Sequence, residues 1–436
     1  MNRITKVGSA LPPGIKVVAA GTVVLGAASY VHLAVAGHSL STKDMAGLSV
    51  LWTAVMSVGT GLFFPLEQEL TRIIAARAVH GTGVAPVLRR AALLTCGFLA
   101  VVLGLLAALA RPVADGFFHG DLQLVLSLGG AFVGMALTYL TRGVLAGLGR
   151  FNAYGAQLAV DGGLRMILAL GCAVAGLHSA LAFSLILTVA PMAAFAVTLP
   201  TALRASLPGP PISWPDLLRG FGPLIGSTLL AQMMVNAVVM STQLLAPDQV
   251  ALVAALLNAL VLARVPLFVF AALQASLLSG LASAVAAGDQ GGFLRMLRKA
   301  CLVVTLLSCC GGVPAVFVGP WLIHVLFAAP DVLTRLDFFW LSLGTLCYLL
   351  AQVLGQALIV QHRHRAQLAS WLLGTAVLAG VTFLPGGIAT RVTISFTAGT
   401  ATTALVMLWA LTRRARSAAG RADDPAAQRT ASVPSS

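Results

Sequence analysis

The chain has 436 residues, of which 58% are hydrophobic and only 9% charged, with a mean hydropathy of +0.95 and a formal net charge of +14. The charges fall in short clusters between apolar runs of about 20 residues, the length a helix needs to cross a hydrocarbon core roughly 30 Å thick. That pattern excludes a soluble globular domain. No stretch alternates as barrel strands do, so the predicted class is an all-α polytopic membrane protein.

Reading from charge to charge predicts about twelve transmembrane helices, at 15–37, 45–68, 91–110, 122–146, 155–177, 180–203, 220–245, 250–275, 300–318, 337–360, 367–385 and 392–411. Ala34-Val35-Ala36 in the first has the small-residue pattern of a leader cleavage site. The apolar run before it is longer than a leader core, so an uncleaved span is expected. The second span ends in Phe63-Phe64-Pro65-Leu66-Glu67-Gln68-Glu69-Leu70-Thr71-Arg72, which sets two carboxylates and an arginine near one membrane interface. Glu69 and Arg72 are i,i+3 neighbours able to neutralise each other, and Glu67 is open to a gate or coupling role.

The fourth span ends in Tyr139 and Arg142, the latter read as an interfacial anchor. In the fifth, Asp161 and Arg165 lie about 16 to 22 Å of helix beyond Arg150. Their i,i+4 spacing allows either a self-neutralised pair or a pair facing a cavity. Gly130-x-x-x-Gly134, Gly143-x-x-x-Gly147 and Gly222-x-x-x-Gly226 are read as helix-packing motifs. In the seventh span Gln232, Asn236 and Gln243 share one face. Arg264 in the eighth stands far from any acidic residue, beside Pro266. It can snorkel, pair across helices or meet an anionic ligand, for which a planar guanidinium suits phosphate. The six cysteines lie in apolar runs without a C-x-x-C pair and read as buried small hydrophobes. His362 and His364 have no carboxylate or thiolate nearby and are not read as a metal site. The segment from Thr412 onward reads as a disordered tail.

Basic residues mark one side of the membrane. With the N-terminus inside, inner segments hold Arg3, Lys6, Lys16, Arg72, Arg77, Arg89, Arg90, Arg142, Arg150, Arg204 and Arg219 in the first half, and ten more from Arg295 to Arg429. That is 21 of the 27 Lys and Arg. The outer segments hold Lys43, Arg111, Arg335 and Arg391. Both termini are therefore expected in the cytoplasm, and the positive charge reports topology, not a nucleic-acid partner.

Three local matches recur at offsets of about 210 residues: Leu88-Arg89-Arg90-Ala91 with Leu297-Arg298-Lys299-Ala300, the Pro112 and Pro320 regions, and Gly149–Ala153 with His362–Ala366. They divide the chain into an N-terminal six-helix lobe (1–205), a C-terminal six-helix lobe (206–411) and a cytoplasmic tail (412–436), with 204–219 as linker. Six spans per lobe imply a pseudo-two-fold axis along the membrane normal and alternating access between paired bundles.

Phe64-Pro65-Leu66-Glu67-Gln68-Glu69 with Arg72, then Arg142-Gly143-x-x-Ala146-Gly147-x-Gly149-Arg150-Phe151-x-x-Tyr154-Gly155, and Pro320-Trp321-Leu322 through Phe327 carry a resemblance over roughly residues 14–411. The chain resembles members of the multidrug/oligosaccharidyl-lipid/polysaccharide (MOP) flippase superfamily, and within it the bacterial polysaccharide flippases that move undecaprenyl-pyrophosphate-linked glycans. The resemblance implies a transporter in the bacterial plasma membrane that flips a lipid-linked oligosaccharide to the outer leaflet for surface polysaccharide assembly. Partner polymerases or glycosyltransferases are implied, and no cofactor, metal or catalytic residue. Lumen candidates are Arg264, Arg165, Asp161, Asn236 and Gln232, the first two for the pyrophosphate; gate candidates are Glu67, Glu69 and Arg72. Lipid II flippases of the superfamily typically have fourteen spans and an Arg-Asp pair in the first, of which only an eighth-span arginine, Arg264, has a match. Drug exporters typically carry an acid in the first or seventh span, and 17–37 and 220–245 hold none. Another MOP-type exporter is the alternative, and a membrane-embedded glycan polymerase or ligase a second. The latter is disfavoured by short outer segments without an acid/base pair.

Overall fold

A computed structural model describes residues 14–245, 265–327 and 333–422, together with 252, 255, 256 and 259. The described residues are helical with short connections. In chain order the helices are α1 (Ile15–Ser39), α2 (Thr42–Ala54), α3 (Thr60–Val79), α4 (Ala85–Ala108), α5 (Ala110–Phe117), α6 (Leu122–Gly147), α7 (Phe151–Val174), α8 (Ala180–Ala205) and α9 (Trp214–Leu218). There follow α10 (Phe221–Leu245), α11 (Val265–Ala286), α12 (Gln290–Phe327), α13 (Arg335–Val360), α14 (His364–Thr382) and α15 (Ile388–Ala422). Eleven candidate membrane spans occur among the described residues. The helix at the eleventh expected position, α14, is 19 residues long and opens with His364, Arg365 and Gln367, which lowers its apolarity.

Four elements depart from the expected boundaries. The second span runs from Lys43 to Val79, because α2 and α3 join through a single π-helical turn at Val55–Gly59. Within the expected 250–275 span, residues 252, 255, 256 and 259 are helical, and α11 runs from Val265 on to Ala286. Ser276, Ser279 and Ser283 extend it at little cost. α12 is 38 residues long, well beyond the expected 300–318. α15 continues past 411 to Ala422, since alanine and arginine are strong helix formers; residues 423–436 lie outside the described set.

The described residues divide into two compact units, one within Met1–Asn236 and Arg264–Val304, the other within Ala237–Ala263 and Thr305–Ser436. This partition does not follow the expected lobe boundary at 205/206: α9, most of α10, α11 and the start of α12 group with the first unit. In that unit glycines set the closest helix pairs. A Cβ on Gly155 would lie 2.5 Å from the Val17 carbonyl, and one on Gly162 would lie 2.7 Å from Leu25 Cα, so α7 packs on α1 backbone to backbone. Gly130 and Gly134 bring α6 against Thr188 and Pro191 of α8, and Gly143 and Gly147 bring it against α3. Two of the three predicted small-residue motifs thus work as packing surfaces; Gly222 has open space beside it.

In the second unit α13, α14 and α15 pack together, with Trp371, Phe338 and Phe396 fully buried. A capping box at Thr334 and Asp337 starts α13, and Thr390 Oγ1 donates to Asp337 Oδ1 at 2.8 Å, tying α15 to it. Cys96, Cys309 and Cys310 are exposed and the other cysteines intermediate. The expectation of buried cysteines is thus corrected, because these residues share outward faces with exposed Leu93, Val101, Leu306 and Val313, apolar surface suited to lipid.

Candidate functional site

The polar interior of the first unit grows from three helices. Along α7, Tyr154, Gln157, Asp161 and Arg165 recur at intervals of three, four and four residues and share a face. α6 ends with Thr141 and Arg142, followed by Gly143 and Gly147. A Cβ on Gly143 would meet Leu70 Cβ at 2.7 Å and Glu67 Cα at 3.1 Å. Glycine therefore lets α6 approach α3 closely enough to set Arg142 beside Glu67. Thr71 Oγ1 donates to the Gly143 carbonyl at 3.4 Å across the same seam.

The side chains then connect. Tyr154 donates its hydroxyl to Glu67 Oε1 at 2.8 Å. Asp161 is the hub: its Oδ1 accepts from Arg165 Nε at 2.9 Å and its Oδ2 from Arg142 at 3.4 Å. Gln157 donates to Thr141 Oγ1 at 2.8 Å. The Arg142 guanidinium also lies 5.5 Å from the centre of the Tyr139 ring, which packs on Phe64. Next along α3, Arg72 holds Glu69 through two contacts of 3.0 and 2.5 Å. Exposure is 3% for Glu67, 7% for Arg142, 0% for Gln157 and 2% for Asp161. Three carboxylates (Glu67, Glu69, Asp161) face three guanidiniums (Arg72, Arg142, Arg165), so the set is formally neutral, as a water-poor interior requires.

Several buried polar atoms have no hydrogen-bond partner among the described residues: Glu67 Oε2, Gln68 Oε1, Gln157 Oε1 and Arg142 Nε. His32 on α1 is fully buried, with both ring nitrogens in the same position. Its ring lies 5.4 Å from Trp52 and 5.9 Å from Phe183, and Arg165 is its electrostatic neighbour.

Of the gate candidates, Glu67, Glu69 and Arg72 lie inside a long helix, not at its interfacial end, because the second span runs on to Val79. The Glu69–Arg72 and Asp161–Arg165 pairs form as their spacing indicated. Arg142 is buried and paired, which corrects its reading as an interfacial anchor. Gln232 and Asn236 are half-buried on α10, Asn236 donating to the Gln232 carbonyl at 2.8 Å. Arg264 and the side chain of Gln243 lie outside the described residues. Sequence reasoning missed Gln157 and His32. The polar stripe of α7 would have shown the first, and a histidine in an otherwise uncharged span the second.

No family model matches the sequence. It is 26% identical over 411 residues to the uncharacterized protein Rv1510 of Mycobacterium tuberculosis, covering 91% of each chain. It is 25% identical over 409 residues to the uncharacterized protein Mb3654 of Mycobacterium bovis, covering 90% of each. Among solved structures, a mutant of the Vibrio cholerae MATE transporter VcmN superposes with a TM-score of 0.78 at 16% identity, over 92% of this chain and 95% of that one. An outward-facing multidrug resistance MATE transporter of the MOP superfamily gives 0.72 at 13% identity over the same shares. A MOP-superfamily transporter from Pyrococcus furiosus, whose binding pocket has reversed polarity, gives 0.73 at 14%, again over 92% and 95%. The chain is a multi-pass membrane protein with the MATE-like fold of MOP-superfamily transporters.

Proposed function

We propose that this chain is an alternating-access transporter that moves a polyprenyl-pyrophosphate-linked oligosaccharide from the cytoplasmic to the outer leaflet of a bacterial plasma membrane. The observation that carries the proposal is a convergence. Two of the three sequence motifs behind the resemblance, Phe64–Arg72 and Arg142–Gly155, build one buried cluster in which Tyr154 bonds Glu67 and α6 presses on α3 through Gly143 and Gly147. Ionisable groups at membrane depth are costly and mark substrate or ion pathways. In this reading residues 1–205 and 206–411 are the two lobes, both termini face the cytoplasm, and glycosyltransferases or a polymerase act before or after it. The first span contributes His32 where the resemblance leads one to expect an acid in drug exporters, which supports a lipid-linked glycan over a cationic drug.

The test is leaflet accessibility of a pyrophosphate-linked oligosaccharide in liposomes holding the full chain, with Glu67→Gln and Arg264→Ala alongside. Relocation by wild type and its loss in Glu67→Gln is the expected result. Failure of wild type to relocate the lipid, together with efflux of a cationic dye under an imposed gradient, would replace this reading with that of a drug exporter.

A further inference from the structure

The buried cluster has an imbalance that names its ligand. Asp161 already meets the charges of Arg142 and Arg165, at 3.4 and 2.9 Å. What remains is one N–H, Arg142 Nε, against two acceptor oxygens, Glu67 Oε2 and Gln157 Oε1. An unpaired buried acceptor is costly, so the site favours a ligand that brings donors. A pyrophosphate brings acceptors alone and would meet the Glu67 carboxylate. An ammonium brings donors, but Glu67, Asp161, Arg142 and Arg165 sum to zero and offer no net negative field to hold a cation. Neutral hydroxyls satisfy both conditions, since each donates to a carboxylate or amide oxygen and accepts from the Arg142 N–H.

Access has a structural basis on the same helix. The π-helical turn at Val55–Gly59 lies immediately before α3, and Pro65 sits within α3 two residues before Glu67. Pro65 removes a backbone hydrogen bond and a π-turn interrupts the regular ladder, so bending concentrates between 55 and 65. A bend there would shift Glu67 relative to α6 and α7.

Resting on the transport reading above, we infer that the Glu67–Gln157–Arg142 cluster is a subsite for the neutral sugar hydroxyls of the glycan, reached by bending at the π-turn and Pro65, and that the pyrophosphate is held elsewhere.

The experiment is thermal unfolding of the purified full chain in detergent, titrated separately with maltotriose, ethylammonium and inorganic pyrophosphate. Maltotriose is expected to raise the wild-type midpoint saturably, and Glu67→Gln and Gln157→Leu to weaken its apparent affinity about tenfold or more. The other two probes should act alike on wild type and variants. If Gln157→Leu fails to fold, the isosteric Glu67→Gln carries the comparison. A Glu67-dependent response to ethylammonium or pyrophosphate instead of maltotriose overturns the inference, as does the absence of any Glu67-dependent response. The leaflet assay separates the two claims. Wild type that relocates lipid without a maltotriose response keeps the function and loses the subsite. Binding through Glu67 without relocation keeps the subsite and loses the function.

Discussion

Asp161 carries the largest single-residue consequence. It neutralises two guanidiniums, each less than a tenth exposed, and no other carboxylate contacts either of them within 4 Å among the described residues. Breaking a buried ion pair from one side costs about 3–5 kcal/mol, because the remaining charge is left uncompensated. Asp161→Asn is therefore expected to lower the thermal midpoint in detergent well below that of Glu67→Gln, which keeps an acceptor oxygen for the Tyr154 hydroxyl. Equal midpoints for the two variants would show that Asp161 is not the hub. The Asp161–Arg165 pair was legible in the sequence because both partners share one helix at i,i+4. Arg142 was not: its partner is nineteen residues away on another helix, and what lets it reach inward is the close approach that Gly143 and Gly147 permit. A guanidinium near a helix end reads as an anchor until the neighbouring backbone is known.

At the scale of elements, the prolines of 204–219 and its place between the repeats led to its expectation as a linker, and its docking within the first unit was not legible. It is strapped to the α3–α4 turn of the same unit. Arg77 donates to the carbonyls of Pro210 and Pro211 at 2.7 and 3.2 Å, and the Ala85 amide donates to Leu207 O at 2.9 Å. Gly83 and Gly209 face each other so closely that a Cβ on Gly83 would lie 1.9 Å from Pro208 O. Ile212 and Leu217 are buried beneath the strap, and Arg90 lies 5.7 Å from the Trp214 ring. Carbonyl acceptors leave no trace in a sequence, so a chain of prolines looks the same docked or free. A hydrogen bond to a charged group is worth about 1.5–3 kcal/mol, which sets the size of the effect. Arg77→Ala should accelerate hydrogen exchange at Ala85 by roughly tenfold or more. Gly83→Ala should do the same by steric displacement while leaving α6 and α7 protected. Unchanged exchange in both variants would mean that the strap is held by Ile212 and Leu217 burial alone.

The whole molecule poses the question of orientation, and here the sequence speaks through charge and the structure through depth. Arg142 stands five residues before the end of α6 at Gly147, Tyr154 three residues into α7, and Glu67 twelve residues, about 18 Å, before the end of α3 at Val79. The cluster is thus nearest the turns at 80–84 and 148–150, the turns that the arginine count assigns to the cytoplasm. A substrate loaded from the inner leaflet has the shorter route to it, so the direction of transport and the topology stand or fall together. The check uses a cysteine-free background of the full chain with His80→Cys or Arg111→Cys, both at exposed positions. In intact cells a membrane-impermeant maleimide should label the cysteine at 111, and label the one at 80 only after the cells are opened. The opposite pattern would put the cluster next to the outer leaflet. Export of a glycan made in the cytoplasm would then need the longer path through the bundle, and an importer would fit the same geometry better.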